Sequence, residues 1–243
     1  MTLPLAYLVV AQVAAQLTAP ATPSAVPAPV DRLAAGTYRL DVEVAVATAL
    51  PIVGEQRTTT RTVSLVTIED DGMATAVACA VDTVGPAFAS RFPASSIRVL
   101  PPSRFPIVVR GDRVRADMGE GTIGWRGGGA LPTDATDPRV VDVDADGAPG
   151  IRLDLDLGAL GVWPLQVVTR GRTVLDGART PNGAAGVLTR MESEQQIVSG
   201  LPVDVPLSNG PVNAIGSRFT LGRVDARRCE DLRIETASPV ARR

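Results

Sequence analysis

Apolar and polar residues alternate along most of this chain with a period of two. Tyr38, Leu40, Val42, Val44 and Val46 fall on one side of an extended segment, with Arg39, Asp41 and Glu43 on the other. That is the pattern of a strand with one buried and one solvated face. Ile151, Leu153, Leu155 and Leu157 repeat it against Arg152, Asp154 and Asp156. A third run places Val77, Cys79 and Val81 on one face, which predicts an inward Cys79. Further strands are expected at 57–69, 95–100, 106–117, 162–170, 172–179, 186–198 and 217–225. Turn signals separate them at Asp70-Asp71-Gly72, Gly111-Asp112, Pro181-Asn182-Gly183 and Ser208-Asn209-Gly210. No segment sustains a helical period, although 84–94 and 226–234 each have room for a short helical turn.

About ten strands with short links predict an all-β fold. Because successive strands read as neighbours, the expected form is an antiparallel up-and-down or partly closed β-barrel, with a β-sandwich as the alternative. The domain should occupy 32–235, followed by a disordered tail at 236–243.

Before it stands the apolar run Leu3–Leu17, read as a signal peptide over 1–17 because it is too short to cross a bilayer comfortably. A Pro/Ala-rich stretch at 18–31 reads as a stiffened, disordered linker. The protein is therefore expected to be exported, periplasmic or extracellular, with no membrane-spanning segment in the mature chain. In an oxidising compartment the two cysteines, Cys79 and Cys229, are each other's only partner within the chain. A buried thiol with an exposed one, or an intermolecular bond, are the alternatives.

Composition removes whole classes of chemistry. There is no His, and all 24 basic residues are Arg. Ser-His-Asp and Cys-His systems, Schiff bases and His-ligated zinc are therefore excluded within the chain. A formal net charge of −2, with no basic run longer than two residues, speaks against nucleic acid as a partner.

The strongest local motif is Val141-Asp142-Val143-Asp144-Ala145-Asp146-Gly147-Ala148-Pro149-Gly150. Carboxylates at alternate positions on a turning backbone can converge on one hard cation, and the glycine permits the sharp turn that follows. The six residues from Asp142 resemble the front half of an EF-hand or thrombospondin-type calcium loop. The twelfth position, where an EF-hand carries Glu, is Leu153. The candidate calcium ligands are thus Asp142, Asp144 and Asp146, with Asp134, Asp137, the Ala148 carbonyl or Asp154 completing the set. The other reading of the same stretch is an acidic, solvated turn.

Three further features remain. Trp125 lies in a glycine-rich loop, where it either stays exposed or folds back as a plug. Trp163, beside Pro164, and Phe88, Phe92 and Phe105, in a proline-rich region, read as packing. Glu192 with Glu194, and Asp154 with Asp156, share strand faces at about 7 Å separation, in range for paired-carboxylate hydrolysis. They alternate with apolar residues and read as solvated faces. No catalytic residue is assigned. The architecture resembles that of lipocalins, although Gly36-Thr37-Tyr38 stands where those proteins carry Gly-x-Trp. That likeness implies a non-catalytic domain holding a small apolar or amphipathic ligand. A calcium-stabilised structural or surface-interaction domain is the alternative, ahead of a carboxylate- or calcium-dependent hydrolase.

Overall fold

A computed structural model describes residues 32–50, 54–85, 88–156, 158–200 and 216–234. The apolar leader, the linker, the tail from residue 235 and the Ser208-Asn209-Gly210 turn lie outside these residues. Among the described residues ten strands follow in order: β1 (Gly36–Leu50), β2 (Gly54–Ile68), β3 (Met73–Val84), β4 (Ala89–Arg91), β5 (Ser103–Arg110), β6 (Arg113–Ile123), β7 (Ile151–Asp156), β8 (Val162–Thr180), β9 (Gly183–Ser199) and β10 (Arg218–Arg223). All belong to one antiparallel sheet, in the order β2-β1-β10-β9-β8-β6-β5-β3-β4-β7, with added pairings of β2 to β3 and β8 to β7. Without β4 and β7, each strand pairs with its nearest neighbours in sequence, and β10 returns to β1. Eight strands thus close an up-and-down ring. Strands β4 and β7 form a flap that runs from β3 to β8 on a second path.

Alternation builds the ring's interior. Phe105, Ile107 and Val109 of β5 are buried between exposed neighbours, and Phe219 and Leu221 of β10 repeat the pattern. With Tyr38, Leu40, Val42 and Val44 they form the main core. A second core lies beneath the flap, where Ile151 and Leu153 meet Leu165 and Val167. A third holds Trp125, Val168 and Val198. Strand β8 is therefore buried on both faces from Leu165 to Val168, because odd residues serve the flap core and even ones the loop that carries Trp125. A continuous apolar run follows from two-sided burial.

Five local expectations are corrected. The segment 95–100 is not a strand: Ala94–Arg98 forms a short helix, α1. It lies between Pro93 and Pro101-Pro102, whose missing N–H groups cannot enter a ladder. The Pro93 carbonyl instead accepts a hydrogen bond from the Ile97 N–H. The 84–94 stretch carries β4 where a helical turn was expected. Cys79 does not point inward. Val63 pairs with Ala80 and Ser64 with Ala78, so Cys79 is the extra residue of a β-bulge. Ala74 and Ala76 face the core instead, and Val77 is 38 % exposed. The bulge directs Cys79 towards Cys229, with which it forms a disulfide at a Cα separation of 5.2 Å. Strands expected separately at 162–170 and 172–179 form one strand, β8, while the stretch 106–117 divides at Gly111-Asp112 into β5 and β6. The short turn at Cys229–Asp231 falls within the predicted 226–234 stretch.

Candidate metal centre

Between β6 and β7 the chain leaves the sheet from Gly124 to Gly150, and this excursion carries the acidic motif. Its base is fastened first. Trp125 bridges to Val140, and the Val141 N–H donates to the Gly124 carbonyl at 2.9 Å. Gly124 has a φ of +81°, and a Cβ there would lie 2.7 Å from the Val167 carbonyl oxygen, so only glycine admits this approach to β8. Trp125 is 3 % exposed and donates its indole N–H to the Thr169 carbonyl. It folds back onto β8 and does not remain in solvent. Arg139 stacks 5.5 Å from the Trp125 ring and donates to the Gly128 and Ala130 carbonyls. One guanidinium thus organises the glycine-rich segment.

The acidic loop proper is closed at its neck by Val143 N–H to the Gly150 carbonyl and Gly150 N–H to the Val141 carbonyl. Ala145 adopts a φ of +54° between Asp144 and Asp146, a left-handed conformation that among the described residues no other non-glycine adopts. This tight turn gathers the three side chains. One carboxylate oxygen each from Asp142, Asp144 and Asp146 lies within 4.8 Å of the others.

Each of these carboxylates is also held in place. Asp142 accepts the Gly147 N–H at 3.0 Å, and Asp146 accepts the Ala148 N–H at 2.9 Å. Asp144 Oδ2 accepts the hydroxyl of the fully buried Ser96 at 2.5 Å, from α1, and the Arg152 N–H at 3.1 Å. Asp146 Oδ2 accepts Nε2 of Gln166 at 2.8 Å, from β8. The other oxygen of Asp144 is buried and has no hydrogen-bond partner. Among the described residues no arginine forms an ion pair with any of the three. The guanidinium of Arg152 turns to Asp154 at 2.9 Å. Three negative charges so close, one with a buried oxygen left over, make a surrounding that a cation would neutralise.

The other predicted carboxylate ligands have partners of their own. Asp134 accepts the hydroxyl and the N–H of Thr136, which hold its carboxyl below the usual range. Asp137 pairs with Arg139, whose guanidinium lowers it likewise. Neither joins the Asp142 group, and Asp154 is taken by Arg152. Ala148 lies in the loop and orients Asp146 through its N–H. Ser96 and Gln166 were not predicted. Gln166 left a trace, as a lone amide in the apolar run Trp163-Pro164-Leu165-Gln166-Val167-Val168; Ser96 left none.

The donor set is all oxygen. The chain has no His, and both cysteines are in the disulfide, so imidazole and free thiolate ligands are not available to this group. That suits calcium or magnesium and not zinc. The other carboxylate pairs form ion pairs: Glu192 with Arg190 and Glu194 with Arg170, on an exposed face. Inside the ring, Leu40, Val66, Phe105, Ile107 and Phe219 line a void of about 10 Å³, room for roughly one water molecule.

Comparison with family models, with curated proteins and with solved structures yields no match.

Proposed function

We propose that this protein is an exported, non-catalytic all-β domain stabilised by calcium, with Asp142, Asp144 and Asp146 as ligands. The observation that carries the reading is the convergence of three carboxylates, none in an ion pair among the described residues, one of which, Asp144, also has a buried oxygen with no partner. Calcium accepts six to eight oxygens in irregular arrangements, whereas magnesium demands a near-octahedral set and retains its water. A loop with one carboxylate fixed by α1 and another by β8 suits the larger ion, with carbonyls or water completing the shell. Bound there, the cation would fasten the 124–150 excursion to the sheet. The Cys79–Cys229 disulfide supports export, since such bonds persist in oxidising compartments. Among the described residues no helix is long and apolar enough to cross a membrane. Among the described residues the void inside the ring is water-sized, whereas drug-sized ligands occupy about 300 Å³ or more.

Thermal melts of the oxidised protein in EDTA and across a calcium titration, with magnesium as control, test this. Calcium at about one hundred times its dissociation constant should stabilise by roughly 2.7 kcal/mol. For a domain of this size that is a rise in Tm of about 5–10 °C. The rise should vanish in Asp144→Ala. An unchanged Tm up to millimolar calcium would overturn the reading and reduce the loop to an acidic turn.

A further inference from the structure

The geometry points to Gln166 as a fourth protein ligand, supplying its amide oxygen to the cation from β8. This inference rests on the calcium reading above. Gln166 is 8 % exposed and sits between Leu165 and Val167, both fully buried. An amide in such a place loses its hydration and should satisfy both of its ends. Only one is satisfied. Nε2 donates to Asp146 Oδ2 at 2.8 Å, while Oε1 has no hydrogen-bond partner. The side chain therefore reaches the acidic cluster and carries an unused acceptor.

The two ends of a glutamine amide are nearly equal in size, so half a turn about the last torsion exchanges them. Without a cation, the NH₂ group faces Asp146 and offsets its charge. With a cation among the carboxylates, Asp146 becomes a ligand, the amide hydrogens are repelled, and Oε1 turns in. Carbonyl oxygens of this kind are ordinary calcium ligands. The turn requires no backbone movement; it exchanges the Nε2 hydrogen bond to Asp146 for a bond from Oε1 to the cation, and a charge-assisted contact to a divalent ion is the stronger of the two. It also explains an amide in a stretch where β8 otherwise buries only apolar side chains. Binding would then join β8 directly to the loop, so that the cation spans two segments well separated in sequence.

Calorimetric titration of the oxidised full chain with calcium chloride tests this with two substitutions. Gln166→Met keeps the length of the side chain but can neither donate nor ligate; its calcium affinity should fall roughly tenfold or more. Gln166→Glu keeps the ligating oxygen and loses the N–H donor. It should bind calcium at least as tightly as the original protein and show a larger calcium-induced rise in Tm, since a fourth carboxylate is unfavourable in EDTA. Unchanged affinity in Gln166→Met would overturn the inference while leaving the calcium reading intact. Equal weakening in both variants would also overturn it, because the amide would then only hold Asp146 through its N–H. If Gln166→Glu does not fold, unchanged affinity in Gln166→Met still overturns the inference. Absence of calcium binding by the original protein would instead sink the calcium reading itself, an outcome distinct from these.

Discussion

Single residues on the outer face of the ring are held by arginine–carboxylate pairs, and Asp41 shows the balance they strike. Burial pushes its carboxyl up, but hydrogen bonds and charge from Arg39 and Arg61 together outweigh burial and leave it lowered. The folded state therefore binds the Asp41 proton less readily than the unfolded chain. The resulting stabilisation is present above the ordinary value of 3.8 and is lost as pH falls through the lower folded value. Asp41→Asn should cost about 0.5–1 kcal/mol at pH 7, the range of a partly exposed, solvent-screened pair. Urea unfolding of both proteins at pH 7 and near pH 3 checks this: the difference should shrink at the acid end. A difference independent of pH would assign the loss to packing instead of charge.

Elements show how sequence signals become tethers. The bulge in β3 turns Cys79 out of the alternating pattern, and the turn at Cys229–Asp231 brings Cys229 to meet it. The bond closes a separation of 150 residues and joins an early strand to the segment after β10. The chain-entropy model assigns such a loop up to about 5 kcal/mol, and loss of native disulfides commonly costs 2–5 kcal/mol. The double variant Cys79→Ser, Cys229→Ser should therefore unfold at lower urea, by an amount equal to that caused by reducing the original protein. A variant as stable as the oxidised protein would show that the bond adds no constraint. The short helix α1 works differently: Ser96 donates to Asp144, so one turn of helix positions a carboxylate 48 residues later.

At the scale of the whole molecule the ring depends on its last strand. Strand β10 pairs with β1 on one side and β9 on the other. Without it, both would present unpaired N–H and C=O groups, and Phe219 and Leu221 would leave the core. A chain ending at residue 215 also lacks Cys229. It should lose its cooperative melt and associate through the open edges, as read by calorimetry and light scattering. A monomeric truncated chain with a sharp transition would show that the flap and disulfide-free sheet suffice without closure.

Period-two alternation and glycine-containing turns determined that this chain would be all-β, that its strands would pair mainly with their sequence neighbours, and where most strands would lie. Those are local properties, written in residues a few positions apart. The same local reading located Asp142, Asp144 and Asp146 together. It missed features that alternation does not record. Cys79 looked inward because a bulge is a mismatch between β2 and β3, which neither strand carries alone. The run at 95–100 looked extended because its β-branched residues outweighed the prolines on either side. Asp134 and Asp137 stand apart from the Asp142 group, engaged by Thr136 and Arg139 two residues on from each. Ser96 and Gln166 reach the acidic loop from 48 and 20 residues away. The pairing of β7 with β4 and β8 brings them there, and burial of an amide and a hydroxyl is decided by what packs over them.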